Sequence, residues 1–572
     1  MCGIAGIWKF NRPVDRASLE RFTLAVHHRG PDAYDVWTDT EHQNPDLGLG
    51  HTRLAILDLS PAGKCPMKML MPNGDELYIT FNGEVFNFLE LRAELEAKGY
   101  RFTNQTDTQV ILAAYHCWGV AALKRFNGMW AFAIWDPKKR ELFLSRDRFG
   151  VKPLFMSVTD SFAFASEIKA FCQLDEFRPE IEQEVLPQLI SNNSSEGSVA
   201  HTWLKNVYRL LPGHYAIVGQ DGNVDISRWW ETRDNLPTVE KNYQDQVAAC
   251  RELFLDAVRI RMRSDVPVGT LLSGGIDSTA VASSMAYLHR QGSLGDRVQA
   301  DWQRTCIATF PGTMIDESYF ANLVVKAIGA KASYWEFSDA VVLPHLIETV
   351  WATEDIVHGI ATPVWCTYRK LRETGVVVSL DGHGSDELLG GYAGYLDLPM
   401  HKLNDGLYDD FHRNVLPAIL RNFDRCSAAH GVEVRMPFMD YRFVSYACAL
   451  DASAKVGGGF TKRIIRDAMK GIMPEEIRNR RSKIGFNSPM IEWYNGGLKK
   501  FLHTMVTRDS FISQRAFDPK RYQEIVRVKE SSGWTKADWG LTLELWSKIN
   551  LALLDEMFIR GVQPAQLYRE LF

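Results

Sequence analysis

The sequence lacks the features that mark secreted, membrane-spanning or nucleic-acid-binding proteins. Its 9 cysteines are scattered over 572 residues without a Cys-x-x-Cys pair, which favours reduced thiols over a disulfide framework. No apolar run is long enough to span a bilayer, and the first residues lack the charged and apolar regions of a signal peptide. A net charge of −5 gives no reason to expect nucleic acid or a membrane as partner. These absences predict a cytoplasmic protein.

The chain is too long for a single hydrophobic core, so at least two domains are expected. No Pro/Gly/Ser-rich linker or internal repeat separates them, but the composition turns polar around 231–240. We therefore predict a first domain over 1–212, its last strands and a linker over 213–238, and a second domain over 239–572.

The strongest nucleotide-binding motif is Ser273-Gly274-Gly275-Ile276-Asp277-Ser278. It follows a predicted buried strand, 268–272, and precedes a predicted helix, 279–289. Glycines let the backbone approach an anion, and the free amides of a first helical turn point at it. Asp277 would repel a bare phosphate, so we interpret it as a ligand of Mg²⁺ that arrives with ATP. The alternative is an ordinary turn of Ser, Gly and Asp.

The loop lacks the Gly-Lys-Ser ending of a Walker-A loop, so chemistry at the γ-phosphate is not favoured. It resembles the pyrophosphate loop of the PP-loop ATP pyrophosphatases, which split ATP between the α and β phosphates to adenylate a substrate. The alternation of strands and helices after it predicts a doubly wound parallel sheet with extra helices. Ligands bind at the carboxyl ends of such strands, so the backbone near Leu272 and Ala308 is expected to meet the adenine.

A second buried strand, 376–380, runs into a glycine-rich acidic turn. We expect Asp381 and Gly382 to contact ATP and Asp386 to hold Mg²⁺ together with Asp277. Lys462, at the start of a later helix, would place positive charge on the leaving pyrophosphate. The alternatives are a tight turn with solvated acids and an ordinary surface lysine.

The amino-terminal stretch is Met1-Cys2-Gly3-Ile4-Ala5-Gly6. Because Cys2 is small, the initiator Met should be trimmed, and the free α-amine, with a pKa near ~8, would then serve as the base for the thiol. The alternation that follows predicts a strand that holds the nucleophile rigidly. The alternative interpretation is that Cys2 lies near the terminus by chance and has no catalytic role.

Further segments support a catalytic reading of Cys2, although each also has a structural explanation. Arg53 is a lone cation in the predicted strand 50–56, and Asn82-Gly83 is a predicted turn after the strand 77–81. Asp107, or Thr106 beside it, is a predicted cap of the helix 110–118.

Together these segments resemble the glutaminase domain of class II, N-terminal-nucleophile (Ntn) amidotransferases. The resemblance implies an αββα sandwich of two antiparallel sheets between helices. It also implies that Cys2 attacks the amide carbon of glutamine, while the Asn82 side chain and the Gly83 N–H form the oxyanion hole. Arg53 would clamp the glutamine α-carboxylate, and Glu84 and Asp107 would hold its ammonium. The charges of the turn 146–154 are interpreted as structural.

The second half resembles the synthetase domain of glutamine-hydrolysing asparagine synthetases, and both halves in this order identify that family. The resemblance implies that a carboxylate acceptor attacks the α-phosphorus of Mg-ATP to give an acyl-adenylate. Ammonia then crosses an internal tunnel and displaces AMP. Released into water at neutral pH, ammonia would be mostly protonated and no longer nucleophilic. Glutamine and ATP are the other substrates, and a homodimer is compatible with the family.

Two positions depart from the aspartate-specific pattern. Aspartate-specific bacterial members have an acidic residue at the position of His383. They also have an Arg four residues before the Pro that matches Pro363, and this chain has Gly359 at that position. Aspartate is the family default, and a sugar acid or an amino-acid or natural-product derivative is the alternative acceptor. Two other functions are alternatives to amidation. β-lactam-forming cyclases related to this family lack the N-terminal cysteine, so Cys2 argues against a cyclase. A non-enzymatic stress or storage relative would release neither AMP nor pyrophosphate.

Overall fold

The computed structural model describes residues 1–10, 12–39, 45–191, 200–311, 316–481 and 488–572. The polar, turn-rich segment 191–197, for which the sequence predicts a surface loop, lies mostly outside these ranges. The segment 483–486, which follows the helix predicted to start near Lys462, also lies outside them. Three sheets organise the chain: two antiparallel sheets of six strands and one parallel sheet of five. No helix among the described residues is both long and apolar enough to cross a bilayer.

The first sheet has the order β10-β8-β9-β1-β3-β2 and the second the order β12-β11-β7-β6-β5-β4. Both sheets are antiparallel at every pairing. Their strands are β1 (Gly3–Trp8), β2 (Ala33–Thr38), β3 (Leu47–Arg53), β4 (Met67–Leu70), β5 (Glu76–Val85), β6 (Gly128–Asp136), β7 (Glu141–Arg146), β8 (Phe155–Val158), β9 (Phe162–Ala165), β10 (Tyr208–Arg209), β11 (His214–Val218) and β12 (Val224–Arg228).

The two antiparallel sheets pack face to face. Hydrogen bonds cross between them, from His51 Nε2 to the Phe81 carbonyl oxygen at 3.0 Å and from Thr80 Oγ1 to the Gly50 carbonyl oxygen at 2.9 Å. Apolar side chains from β1, β3, β6 and β7 fill part of the space between the sheets. Helices cover both outer faces: α1 (Arg16–Leu24) packs on β3, and α3 (Thr108–Trp118), with α2 (Phe88–Ala97) beside it, packs on β5. The αββα sandwich is confirmed.

The parallel sheet has the order β15-β14-β13-β16-β17. Its strands are β13 (Val268–Leu271), β14 (Arg304–Thr309), β15 (Lys331–Glu336), β16 (Val378–Leu380) and β17 (Glu433–Arg435). The chain runs outward from β13 to β15 and then returns to β16 on the other side of β13. The right-handedness of such crossovers puts the connecting helices on both faces, so the sheet is doubly wound. The reversal between β13 and β16 opens a crevice at their carboxyl ends.

Helices account for most of the rest of the chain. They are α4 (Ala122–Arg125), α5 (Leu186–Ser191), α6 (Tyr243–Arg261), α7 (Ile276–Arg290), α8 (Ser318–Ile328), α9 (Asp339–Val342), α10 (Leu346–Thr353), α11 (Thr362–Glu373), α12 (Ser385–Leu389), α13 (Met400–Asp409), α14 (Leu416–Ala428), α15 (Tyr441–Ala449), α16 (Ala452–Lys455), α17 (Arg463–Ala468), α18 (Glu475–Arg478), α19 (Met490–Asn495), α20 (Lys499–Thr507), α21 (Asp509–Ile512), α22 (Pro519–Ser532), α23 (Trp539–Leu554) and α24 (Pro564–Leu571).

The Asn82-Gly83 turn is a wrong prediction, because β5 continues through both residues to Val85. Pairing with β6 overrides the local turn preference of Asn-Gly, and Gly83 lies opposite Trp130 in that pairing. Gly83 has φ +148°, and a Cβ there would lie 2.1 Å from the Met129 carbonyl oxygen. Only glycine fits this position without displacing the neighbouring strand.

Arg146 has the structural role predicted for the charges of the turn 146–154. Arg146 donates hydrogen bonds to the carbonyl oxygens of Lys152, Gly150 and Leu210 at 2.7–2.8 Å. Its guanidinium group therefore stabilises a loop of the sandwich through hydrogen bonds to the main chain.

Candidate active sites

Cys2 stands one residue before β1, a central strand of the first sheet. Its thiol is half-buried, and Sγ lies 3.8 Å from the carbonyl oxygen of Leu54. Arg29 holds the main chain here, because its Nε donates to the Cys2 carbonyl oxygen at 3.0 Å. Burial raises the pKa of the Cys2 thiol above its ordinary value. A nucleophile at this position therefore needs a neighbouring base to form its thiolate.

The side chain of Asn82 points into the protein and is fully buried. Neither its amide nitrogen nor its amide oxygen has a hydrogen-bond partner among the described residues. Leaving such a group unpaired costs about 1–3 kcal/mol, so buried amides are nearly always bonded. An oxyanion would supply the missing acceptor for the N–H₂ group, which fits the predicted role of Asn82.

Arg53 ends β3, and carbonyl oxygens of the following loop orient its guanidinium group. Nη1 donates to Ser60 at 2.8 Å, and Nη2 donates to Leu57 at 3.5 Å and contacts Asp58. A Cβ on Gly63 would lie 2.2 Å from Nη2, so that position must be glycine for the fork to fit. These contacts set the plane in which Arg53 can meet a carboxylate.

Glu84 and Asp107 are both buried, and the pKa of each is raised. Burial raises the pKa of Asp107 to about 7, although the Val85 N–H, 2.8 Å from Oδ2, lowers it. Burial and then the charge of Asp107 raise the pKa of Glu84 well above its usual value. Asp107 is the N-cap residue of α3, as predicted, but its side chain makes no capping hydrogen bond. Asp107 bonds to β5 instead, so its carboxyl group faces Glu84.

Two residues of the parallel sheet complete this acidic cluster. Arg435, at the end of β17, lies 3.2 Å from Glu84 and 2.8 Å from Glu433. The charge of Glu433 also raises the pKa values of Asp107 and Cys2. Arg435 and Asp440 are only five positions apart in the sequence, which favours an internal pair, but they do not pair. Asp440 instead pairs with Arg261 and Arg442 and caps α15. The second half of the chain thus helps to set the charges around Cys2.

The Ser273–Ser278 loop joins β13 to α7, at the crevice of the parallel sheet. The predicted strand ends one residue earlier, at Leu271, and the predicted helix begins earlier, at Ile276. Ser273 Oγ and Ser278 Oγ are 3.1 Å apart, which closes the loop. Gly274 has φ +75°, and a Cβ there would lie 2.5 Å from the Ala321 nitrogen, so this glycine lets the loop pack against α8.

Lys462 brings the two predicted metal ligands together. Its Nζ lies 2.5 Å from Asp277 Oδ2 and 2.6 Å from Asp386 Oδ1. Burial lowers the pKa of Lys462, but the two carboxylates more than offset this, so its pKa is raised and it stays charged. The residue precedes α17 with φ +55°, a strained backbone for a lysine.

The arrangement fits a magnesium site. One cation, the ammonium of Lys462, already contacts Asp277 and Asp386, so a divalent ion can reach both. A Cβ on Gly391 would lie 1.8 Å from Asp386 Oδ1, so only glycine leaves room for this contact. The described residues contain no cluster of three or more His, Cys, Asp or Glu suited to a metal. Mg²⁺ usually takes one or two carboxylates together with substrate phosphates, which is what this pair offers.

A cavity of about 800 Å³ opens at the crevice. It is lined by the predicted ATP- and metal-binding residues apart from Gly274, namely Leu272, Ser273, Gly275, Asp277, Ser278, Ala308, Asp381, Gly382 and Asp386, and by Lys462. The Asp381 carboxyl group is turned inward, where it accepts hydrogen bonds from Tyr368 and Ser379 at 2.6 Å each. Its side chain therefore braces the sheet.

The sequence reading missed a second wall of this cavity. It is made by α14 and the residue before it, and its members are Val415, Ala418, Ile419, Asn422 and Phe423. The spacing of these residues is that of one helix face, so an amphipathic pattern was visible, but nothing in it showed what the face meets.

A buried charge network joins α14 to the amino-terminal domain. Arg29, which holds the Cys2 carbonyl, also lies 2.7 Å from Glu167 and 3.0 Å from Asp424 of α14. Glu354, before α11, accepts hydrogen bonds from the backbone nitrogens of Ile168 and Lys169 at 2.6 and 2.8 Å. The surroundings of Cys2 and the wall of the distant cavity are thus connected through contacts that exclude water.

Comparison with known proteins divides the chain in the same way. The family described as glutamine amidotransferase domain matches residues 1–230, and the family described as asparagine synthase matches residues 249–402 and 397–548. Glutamine-hydrolyzing asparagine synthetase 3 of Bacillus subtilis is 29% identical, covering 93% of this chain and 94% of the relative.

Two further relatives differ in their names. A putative glutamine-hydrolyzing asparagine synthetase 2 of Methanocaldococcus jannaschii is 31% identical, covering 74% of this chain and 79% of the relative. A protein named amidase chry2, of Gibberella zeae, is 25% identical, covering 86% of this chain and 88% of the relative. The chain belongs to the asparagine synthase family of glutamine-dependent ligases and carries a glutamine amidotransferase domain in its amino-terminal part.

Proposed function

We propose that this protein transfers the amide nitrogen of glutamine to a carboxylate that it first activates as an acyl-adenylate. The observation that carries the glutaminase half is the buried, unpaired amide of Asn82. Its N–H₂ group has no acceptor among the described residues, and it lies on the strand that also carries Glu84. Cys2, once Met1 is removed, attacks the glutamine amide carbon, and its own α-amine accepts the thiol proton. Asn82 and the Gly83 N–H donate to the oxyanion, and the thioester that forms is hydrolysed to glutamate.

In the second site, the Ser273–Ser278 loop binds the phosphates of ATP between its backbone and the first turn of α7. Asp277 and Asp386 would hold Mg²⁺, which neutralises charge on the pyrophosphate as it leaves. When Mg-ATP binds, the ammonium of Lys462 leaves the carboxylates of Asp277 and Asp386 and contacts oxygens of the pyrophosphate instead. The acceptor carboxylate attacks the α-phosphorus, and ammonia from the first site passes through the interior and displaces AMP.

The proposed function is tested by replacing the nucleophile. Cys2→Ala should lower glutamine hydrolysis by about a thousandfold or more, because no other group forms the thioester. With ammonium chloride in place of glutamine, the variant should still release AMP and pyrophosphate in the presence of Mg-ATP and an acceptor. Cys117→Ala, a half-buried cysteine at the end of α3, is the matched control. Undiminished glutamine use by Cys2→Ala, or release of ADP in place of AMP, would show the proposal to be wrong.

The acceptor has two candidates. Aspartate, giving asparagine, is the default of the family. A different carboxylate is favoured by Gly359, because a Cβ there would meet no atom within 4 Å. The cavity is therefore wider here than it would be with a side chain at position 359, and His383 lines the same cavity.

A further inference from the structure

The wall of the cavity beyond the paired aspartates is apolar. His383 lies between Asp381 and Asp386 in the loop after β16, and its ring centroid is 3.9 Å from that of Phe423. Ile419 continues this wall along α14. Ile360 and Val364, at the start of α11, add apolar side chains to the same cavity. A ligand that reaches from the α-phosphate towards α14 therefore meets carbon on both sides.

The cations that line the cavity in the described part of the chain are already engaged near the nucleotide loop. Lys462 contacts Asp277 and Asp386. Arg480 pairs with Glu317 at 2.5 Å and donates to the Gly274 carbonyl oxygen at 3.3 Å. Two more arginines belong to the same region: Arg466 donates to the carbonyl oxygens of Thr461, Arg478 and Arg480, and the guanidinium of Arg481 lies 4.8 Å from the centre of the Phe460 ring.

Apart from the imidazole of His383, the polar groups on the α14 side of the cavity are two side-chain amides and the imidazole of His358. Asn414 and Asn422 offer amides. His358 lies with Nε2 3.4 Å from the Leu189 carbonyl oxygen, and burial lowers its pKa, which favours the uncharged ring at neutral pH. Aspartate carries an α-ammonium and an α-carboxylate besides the carboxylate to be amidated. Each of these would lose water without gaining a counter-ion from the described residues on this side.

We infer that the acceptor is a carboxylic acid whose only charge is the carboxylate to be amidated and whose body is aliphatic or aromatic, with neutral hydrogen-bonding groups at most. This inference rests on the proposed amidation and names the substrate class of the same site. The apolar body packs between α14 and the start of α11, and the side-chain amides of Asn414 and Asn422 bond its neutral polar groups. The bond that forms in the first step joins the acceptor oxygen to the α-phosphorus, and pyrophosphate leaves.

The test is exchange of labelled pyrophosphate into ATP by the full-length wild-type protein with Mg²⁺. The acids supplied are phenylacetate, 3-phenylpropanoate, N-benzoylglycine, glucuronate and aspartate, each at the same concentration. At least one of the three aromatic acids should support exchange at a rate at least about tenfold above aspartate. Aspartate or glucuronate as the best acid would overturn the inference and leave the proposed function standing. If none of the five acids supported pyrophosphate exchange, both this inference and the proposed function would be wrong.

A second measurement adds a cation to the apolar wall. Gly359→Arg can be accommodated, because the added Cβ meets no atom within 4 Å. Its guanidinium should raise the ratio of aspartate-driven to phenylpropanoate-driven exchange by at least about tenfold. Gly394→Arg, at an exposed glycine that is equally unobstructed and does not line the cavity, is the control and should leave the ratio unchanged. A ratio that does not move in Gly359→Arg would contradict the assignment of this end of the cavity to the acceptor.

Discussion

The two candidate sites of this protein are built on opposite electrostatic plans. Around Cys2, the key groups are buried and poorly compensated. The Asn82 amide has no partner in the part of the chain that the structure describes, and the pKa values of Glu84 and Asp107 are raised. At the crevice of the parallel sheet, the charges are balanced, because Lys462 contacts both Asp277 and Asp386. The site around Cys2 therefore lacks counter-charges that a ligand could supply, whereas the site at the parallel sheet already contains an ion pair.

The difference matches the ligands that we propose for each site. Glutamine is a zwitterion that would bring an ammonium to the carboxyl groups and develop an oxyanion beside the amide, so binding and reaction would supply the missing partners. Mg-ATP brings its own cation and anion together. A site for it can be kept neutral overall by a lysine that exchanges partners when the nucleotide enters.

Replacing Asn82 should break the first site only. Asn82→Ala should lower kcat for glutamine hydrolysis about 100- to 1,000-fold with little change in KM, because the lost hydrogen bond forms mainly in the transition state. Steady-state glutamate production measures both constants, and Asn223→Ala, at an exposed turn, is the control. An unchanged kcat with a higher KM would instead assign Asn82 to substrate binding.

Replacing Asp386 should break the second site. Asp386→Asn removes one charge of the proposed magnesium pair and should lower ammonium-driven pyrophosphate release about 100-fold, with a higher Mg²⁺ requirement. Titration of Mg²⁺ at fixed ATP measures this. The exposed Asp405→Asn, which removes an acid paired with Arg233 at the surface, is the control. If Asp386→Asn and Asp405→Asn required the same Mg²⁺ concentration, the metal assignment of Asp386 would be wrong.

The raised pKa of Asp107 predicts pH-dependent glutamine binding. The carboxyl group must be ionised to hold the ammonium, so affinity is lost as pH falls through about 7. In the Cys2→Ala background, where binding is separated from chemistry, the Kd for glutamine should be about tenfold weaker at pH 6 than at pH 8. Calorimetric titration measures it. Asp107→Asn in the same background should bind glutamine weakly at both pH values. If the Kd of the protein that retains Asp107 did not change between pH 6 and pH 8, the assignment would be wrong.

Much of both sites could be predicted from the sequence, because the relevant residues belong to short local motifs. Cys2 next to a strand, the Ser273–Ser278 loop between strand and helix, and the Asp381–Asp386 turn after a buried strand all depend on neighbours within a few positions. Glycine marks such places, since Gly83, Gly274 and Gly391 each stand where a side chain would strike its surroundings.

Local rules failed where distant strands or helices supplied a better partner. Asn82-Gly83 became part of β5 because β6 pairs with it along its length. Asp440 and Arg435 are close in the chain but separate in the fold, since Asp440 meets Arg261 and Arg435 meets Glu84. In each case, the energy of a buried contact exceeded the local preference on which the prediction was based.

The sequence by itself determined the family, the two kinds of chemistry and most of the residues proposed for them. Only the tertiary structure decided that Glu433 and Arg435 of one half lie beside Glu84 and Asp107 of the other, and that an apolar face of α14 lines the cavity at the parallel sheet. The physical reason is that these contacts join segments hundreds of residues apart, whose meeting depends on how the sheets and helices pack and leaves no periodicity or spacing in the chain.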